Sequence, residues 1–373
     1  MAERRRTVVA GDETPAAVPL ARGLADRRRQ GDDPPVADPV DAIVLVSFGG
    51  PEGMDDVLPF LRNVTRGRGI PDERLAQVAT QYELFDGVSP LNASNRALVA
   101  ALEAELAASG PSLPVYWGNR NWEPYLADVV ATMRADGVRR ALAFVTSAFS
   151  SYSGCRQYRE DIAGALGAVG HGAPEIHKLR VYFDHPGFIE PMAANTGRAL
   201  ATLPAALRPT ARLVFTAHSI PMSMAATSDY EVQLRTAAGL VADRVPGGHE
   251  WDLVWQSRSG PPTQPWLEPD IVEHLTVLHR EGCDAVVVVP LGFTSDHLEV
   301  RFDLDTQARA CADELGLPMA RASTVGTDPA FVAMICELVT EVVAGVPPRR
   351  LSDLPDPGWC SATCCPPPPP RPH

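Results

Sequence analysis

The chain has 373 residues, of which 45% are hydrophobic and 21% are charged, and its formal net charge is −13. This composition is typical of a soluble globular protein of about two domains, and it excludes a disordered, collagen-like or coiled-coil chain. The negative charge argues against a nucleic-acid-binding protein, which normally presents a basic face. No apolar run approaches the ~18 residues of a membrane span, so we expect no integral membrane segment.

The N-terminus contains basic residues but lacks the continuous apolar stretch of a secretory signal. We therefore expect a cytoplasmic protein whose seven cysteines are reduced. Residues 1–40 are rich in Arg, Asp, Pro and Ala without periodicity, which predicts a disordered arm.

From residue 41 onward, strand-like and helix-like patterns alternate. Eight strands are predicted, at 42–48, 114–119, 141–149, 178–183, 211–217, 252–257, 285–293 and 319–325. Several of them are continuous apolar runs, which are typical of parallel strands covered on both faces. Because amphipathic segments separate the strands, the pattern predicts an α/β fold with parallel sheets.

The eight strands divide into two sets of four. VLVSFGGP (44–51) and LVFTAHSIP (213–221) share one plan, namely a strand, a small polar or aromatic tip and a proline. This similarity predicts two similar α/β domains at 41–177 and 178–326, although any two parallel strands look somewhat alike. Beyond them we expect a C-terminal helix at 327–345.

Residues 346–373 are predicted to be a Pro-rich linker followed by a Cys-rich tail. Cys360, Cys364 and Cys365 lie within six residues of each other. Three thiols at this spacing favour a metal or iron–sulfur site. Its fourth ligand must come from the remaining cysteines, which are Cys155, Cys283, Cys311 and Cys336. Cys155 lies in a loop at a strand end, which suits a ligand, whereas the other three are expected to be small buried hydrophobes.

His218 ends the strand RLVFTAH and is the first candidate for chemistry. In open α/β sheets the ligand crevice lies at the carboxyl ends of the strands. A neutral imidazole placed there can transfer a proton or bind a metal. A helix-capping or buried structural role explains the position equally well.

Two further segments are candidates for binding. PLGFTSDHLEVRFDLD (290–305) carries a cluster of acidic side chains and one histidine, which are Asp296, His297, Glu299, Asp303 and Asp305. In a helix beginning after Ser295, Glu299 and Asp303 share a face and could guide a hard cation, although the same residues suit a solvated first turn. In RNVTRGRGIP (62–71), Arg66 and Arg68 either clamp carboxylates or belong to a solvated surface turn.

Taken together, these segments resemble the ferrochelatase family, whose enzymes insert iron into a porphyrin. The blocks that carry the resemblance are SFGGPEG, TRGRGIP, FDGVSPLN, YWGNRNWEPY, SSYSGCRQYRED, TAHSIP, WQSRSGPPTQPWLEPD and PLGFTSDHLEV. They occur in family order over about residues 40–345, and the resemblance is closest to the actinobacterial type, which carries a C-terminal 2Fe–2S cluster. It implies two Rossmann-like, chelatase-type domains with the active-site cleft between them.

The resemblance also implies roles for particular residues. His218 corresponds to the family's metal-binding and proton-accepting histidine, Glu299 to the acidic residue that faces it, and Asp303 to an acidic relay that is interrupted at Gln307. Four residues fall in blocks that line the porphyrin site, which are Phe48, Arg66, Ser89 and Tyr158. Some relatives have a tyrosine at the position of Phe48, so a metal-ligand role there is not carried over. A 2Fe–2S cofactor is expected on four thiolates, which are Cys155, Cys360, Cys364 and Cys365.

The implied function is insertion of Fe2+ into coproporphyrin III with release of two protons, by a monomer whose iron donor the sequence does not identify. The alternatives are a protoporphyrin IX enzyme, another tetrapyrrole chelatase, a haem-binding or redox-sensing module, and a periplasmic-type binding protein. The presence of both His218 and Glu299 argues against the redox-sensing module, and the lack of a signal peptide argues against the periplasmic protein.

Overall fold

The computed structural model describes residues 39–67, 69–260, 263–355, 360–361 and 363–367. Almost all of the predicted N-terminal arm, Arg68 and the end of the terminal proline run lie outside the described residues.

The first half of the chain forms a four-stranded parallel sheet in the order β2-β1-β3-β4. Its strands are β1 (Ala42–Ser47), β2 (Val115–Asn119), β3 (Arg140–Val145) and β4 (Glu175–Lys178). Its helices are α1 (Met54–Val64), α2 (Asp72–Glu83), α3 (Leu91–Ser109), α4 (Leu126–Ala135) and α5 (Gln157–Val169). A π-helical turn over Tyr152–Arg156 leads directly into α5.

The second half repeats this plan with a parallel sheet in the order β6-β5-β7-β8. Its strands are β5 (Arg212–His218), β6 (Trp251–Gln256), β7 (Val286–Val289) and β8 (Met319–Arg321). Its helices are α6 (Pro186–Thr202), α7 (Met222–Ala225), α8 (Tyr230–Ala242), α9 (Ile271–Arg280), α10 (Leu298–Val300), α11 (Arg309–Leu315) and α12 (Pro329–Val343). A 3-10 turn spans Arg208–Thr210, and a π-helix over Arg301–Ala308 joins α10 to α11.

Two four-stranded parallel sheets of one plan confirm the predicted fold class. The position predicted for the fourth strand, 178–183, is wrong, because β4 ends at Lys178. The apolar residues after it leave the sheet and enter the core, where the Tyr182 hydroxyl donates to the Val145 carbonyl at 3.1 Å. A buried connector and a buried strand are both rich in apolar residues, so hydrophobicity alone does not separate them.

A single hydrophobic core joins the two sheets. It contains Leu45 and Phe144 from the first sheet together with Phe215 and Val287 from the second. Helix α12 packs against α3 and α6 and so fastens both halves. The described helices include none that is long and apolar enough to cross a membrane.

The segment after α12 is held by ion pairs instead of forming a free linker. The carboxylate of Asp184 is fully buried and lies 3.1 Å from the Arg350 guanidinium. Arg349 pairs with Glu337 of α12 at 2.6 Å, and the Leu351 amide donates to the Asp184 carbonyl. These contacts hold residues 349–351, which precede the cysteine tail, against the folded body of the protein.

Candidate active site

His218 is the last residue of β5 and therefore lies at the carboxyl edge of the second sheet. Its Nδ1 is 2.5 Å from the Ser219 carbonyl oxygen. Because a carbonyl oxygen only accepts, Nδ1 carries the proton of the neutral ring and Nε2 presents a lone pair. The side chain is 33% exposed, so this lone pair is open to a ligand.

Glu299 faces His218 across a short gap. It lies in α10, the first helical turn after β7, and its Oε2 is 3.9 Å from the His218 Nε2. Gly292, between β7 and α10, allows this segment to pack closely on β5, since a Cβ at Gly292 would lie 2.6 Å from the Cβ of Ala217. At 3.9 Å the two bases are too far apart for a hydrogen bond, and both side chains are partly exposed.

Asp303 lies near Glu299 and is held by the neighbouring strand. Its Oδ2 accepts a hydrogen bond from Gln256 Nε2 at 3.2 Å and another from the Ser257 hydroxyl. Gln256 is paired in register with His218, so adjacent strand ends position the histidine and the holder of the aspartate. Burial, helped by the charge of Glu299, raises the pKa of Asp303 to about 6.

The structure separates the acidic segment into two groups. Asp296 and Asp305 pair with Arg321 at 2.8 and 2.7 Å and so fasten this segment to β8. Within the described part of the chain, Glu299 and Asp303 form no ion pair with an arginine, and they lie on the side of His218. The α-helical i, i+4 spacing expected for them is replaced by a helix that turns from α to π at Arg301. Such π segments occur frequently at functional sites.

An aromatic wall from the first half reaches the same place. Phe48 follows β1 and packs edge-on against Phe60 of α1, which in turn contacts Tyr82 of α2. Leu298, the neighbour of Glu299, is buried in this cluster. Burial and the charge of Glu299 raise the pKa of Tyr82. The α1–α2 pair is thus in contact with the residues around Glu299.

The predicted porphyrin-lining residues occupy different depths. Phe48 is 37% exposed, and Arg66 is exposed with its guanidinium 2.6 Å from Asn63 Oδ1. Ser89 is buried against Gly50, where a Cβ would lie 2.6 Å from the Cβ of Ser89. Tyr158 is also buried, and the Arg120 guanidinium lies 4.9 Å from the centre of its ring.

Arg120 connects the buried and the exposed parts of this wall. Its guanidinium lies 5.6 Å from the centre of the Phe48 ring and pairs with Asp161 at 2.9 Å. Arg120, Tyr82, Gln256 and Ser257 are not among the site residues predicted from the sequence. Arg120, Gln256 and Ser257 lie inside two of the quoted blocks, YWGNRNWEPY and WQSRSGPPTQPWLEPD. Ser257 also has a φ of 61°, which is uncommon for a residue other than glycine.

The four predicted cluster cysteines lie side by side. Cys155 is buried in the π-helical turn before α5 and contacts Cys360 of the tail, and Cys360 contacts Cys364. The sulfur atoms of Cys364 and Cys365 are 3.6 Å apart. The contact with Cys360, together with burial, raises the pKa of the Cys155 thiol. Cys283, Cys311 and Cys336 lie outside these contacts; Cys336 is buried as predicted, whereas Cys283 and Cys311 are only half-buried.

Comparison with known proteins identifies the family of this chain. The sequence profile of the ferrochelatase family matches residues 40–343. A coproporphyrin III ferrochelatase from Frankia alni is 57% identical, over 90% of this chain and 88% of its own length. A ferrochelatase from Rhodopirellula baltica is 52% identical, over 88% of this chain and 93% of its own. The corresponding values for a coproporphyrin III ferrochelatase from Mycolicibacterium smegmatis are 55%, 85% and 94%.

Among solved structures, SirB from Bacillus subtilis with Fe3+ superposes with a TM-score of 0.51 at 13% identity. The match covers 82% of this chain and 97% of SirB, and it supports the chelatase-type fold. The matched profile spans both sheets and contains the His218–Glu299 pair. The chain is therefore a member of the ferrochelatase family.

Proposed function

We propose that this protein inserts ferrous iron into coproporphyrin III in the cleft beside His218 and Glu299, with release of two protons. The observation that carries the proposal is the 3.9 Å separation of His218 Nε2 and Glu299 Oε2, with no hydrogen bond between them. Two partly exposed bases this close together suit a site that takes up protons and briefly holds a cation.

The chemistry requires proton acceptors beside the porphyrin ring, and His218 and Glu299 can supply them. A free-base porphyrin carries two pyrrole N–H protons, which must leave as Fe2+ binds the four nitrogens. His218 accepts one proton at Nε2, because its Nδ1 proton is already donated to Ser219. Glu299 is 53% exposed and accepts the other or steadies the incoming cation.

Asp303 is the exit for these protons. Its pKa of about 6 lies near the working pH, where a carboxyl group both accepts and releases protons readily. The hydroxyl of Ser257 and the amide of Gln256 hold its carboxylate in place. Gln307, which is exposed and neutral, does not extend the relay, so it ends at Asp303.

The substrate assignment rests on the cleft wall and on the relatives. Exposed apolar side chains are concentrated on α1, at the end of α2 and in the following loop, where they can cover a flat macrocycle; they are Met54, Leu58, Leu84 and Val88. Arg66 is exposed nearby in sequence and suits a propionate. Several relatives above 50% identity, including those from Frankia alni and Mycolicibacterium smegmatis, are coproporphyrin III ferrochelatases.

An anaerobic insertion assay tests the proposal. Purified protein is mixed with ferrous iron and coproporphyrin III, and the loss of porphyrin fluorescence is followed. We expect catalytic turnover, and substitution of Co2+ or Ni2+ should be slower. Faster insertion of cobalt or nickel would point to a different tetrapyrrole chelatase.

We also propose that Cys155, Cys360, Cys364 and Cys365 hold one 2Fe–2S cluster. The contacts among the four sulfur atoms support this, because four thiolates are the usual complement of such a cluster. The thiols form a chain of contacts, and within the described residues no group of three or more His, Cys, Asp or Glu side chains is arranged for a single metal ion.

When bound, the cluster supplies a one-electron redox centre and a covalent link between the tail and the first sheet. Arg159 prepares this link by donating to the Ser361 carbonyl at 2.9 Å. Anaerobically purified protein should contain about two iron and two sulfide per chain. Cys155→Ser should abolish the visible absorption, and the matched Cys311→Ser should keep it. Zinc in place of iron and sulfide would contradict the cluster.

A further inference from the structure

The only lysine of the chain lies against the cysteine cluster. Lys178 is the last residue of β4, and every other basic side chain apart from histidine is an arginine. Its ammonium group contacts the Cys155 thiol and donates to the Leu179 carbonyl at 3.0 Å. Cys360 and Cys365 are close enough for their charge to act on it as well.

The positive charge of Lys178 is suited to stabilising an anionic cluster. An ammonium ion taken out of water needs an anion nearby. A 2Fe–2S cluster on four thiolates carries a net charge of −2 when oxidised, and one added electron makes it −3. A compact point charge beside the sulfur atoms stabilises both states and favours the more negative one.

We propose that Lys178 is the counter-cation of the cysteine cluster and sets its reduction potential. This inference rests on the proposed cluster and concerns a positioning residue that is not itself a ligand. Coulomb's law with an effective dielectric constant of about 20 makes one charge a few ångström away worth more than a factor of ten in the reduction equilibrium. For a one-electron couple, a tenfold change corresponds to about 59 mV.

The test compares three variants with the wild type by anaerobic redox titration, in which dithionite reduces one Fe3+ to Fe2+ and absorbance and electron paramagnetic resonance report the change. Lys178→Met removes the charge at similar length, and Lys178→Arg keeps it. Arg235→Met removes a charge from the exposed face of α8 and is the control. Far-ultraviolet circular dichroism and melting temperature establish that each variant is folded.

We expect the potential of Lys178→Met to fall by at least about 59 mV. The potentials of Lys178→Arg and Arg235→Met should stay close to that of the wild type. An unchanged potential in Lys178→Met would overturn the proposal. If Lys178→Met fails to assemble the cluster, retention of the cluster by Lys178→Arg supports the role of the positive charge. Loss of the cluster in both variants shows that the shape of the lysine side chain matters instead of its charge, and it overturns the proposal.

Failure of the cluster itself is recognised separately. Iron and sulfide are measured first in the wild-type protein. Their absence contradicts the proposed cluster and, with it, this role for Lys178. Their presence together with an unchanged potential in Lys178→Met contradicts only the role of the lysine.

Discussion

Replacing His218 with alanine should separate iron insertion from folding and from porphyrin binding. The imidazole is one-third exposed, its Nδ1 is hydrogen-bonded to the Ser219 carbonyl, and its Nε2 lies 3.9 Å from the Glu299 carboxylate. Its removal opens no cavity in the core and breaks one hydrogen bond, so the free energy of unfolding should change by about 1 kcal/mol or less. The affinity for porphyrin should change little, because the binding surface is spread over the cleft.

The rate of insertion should fall much further. Loss of a general base typically slows a reaction by ~10²–10⁴, which is about 3–5 kcal/mol in the activation barrier. Anaerobic fluorescence assays measure turnover, and quenching titrations without iron measure binding. His279→Ala, on the exposed end of α9, is the matched control and should be fully active. Turnover of His218→Ala within about threefold of the wild type would refute the assignment of the proton acceptor.

Three further outcomes follow from the same structure. Glu299→Gln keeps the shape of the side chain but removes a base and a charge, so kcat should fall by about 10² or more in the fluorescence assay; a kcat equal to that of the wild type would remove Glu299 from the site. Because Asp303 has a pKa of about 6, it is protonated at lower pH and stops accepting protons, so kcat/KM should fall as the pH drops below about 6. In Asp303→Asn that acidic limb should disappear from the pH profile while turnover is lower throughout, and an unaltered limb would assign it to another group. Asp184→Ala leaves Arg350 without its buried partner and should lower the free energy of unfolding by about 3 kcal/mol in urea titrations, whereas a loss below about 0.5 kcal/mol would mean that the pair does not hold the tail.

The sequence predicted the fold because its local patterns are consistent with one another. Continuous apolar strands such as β7, separated by amphipathic helices, leave little choice other than parallel sheets. The repeated strand and proline tip of β1 and β5 indicated the duplication. The fourth strand was misplaced because Leu179, Tyr182 and Phe183 are apolar for another reason: they belong to a connector that is buried in the core.

The candidate site was only partly accessible from the sequence. The motifs selected His218, Glu299 and Asp303, and the structure brings these three together. The spacing of the acidic residues did not show that Asp296 and Asp305 pair with Arg321. This arginine lies in β8, beyond the next helix, and only the tertiary fold brings it close to them. The ion pairs that hold the segment after α12 to Asp184 and Glu337 were likewise not apparent from the sequence, since their partners are distant along the chain.

The most direct test of the central claim is the ratio of kcat/KM for coproporphyrin III to that for protoporphyrin IX, measured under anaerobic conditions with ferrous iron and the full-length chain. The proposed function predicts a ratio well above one, with Fe-coproporphyrin as the product. A ratio below one, with protohaem as the preferred product, would contradict it.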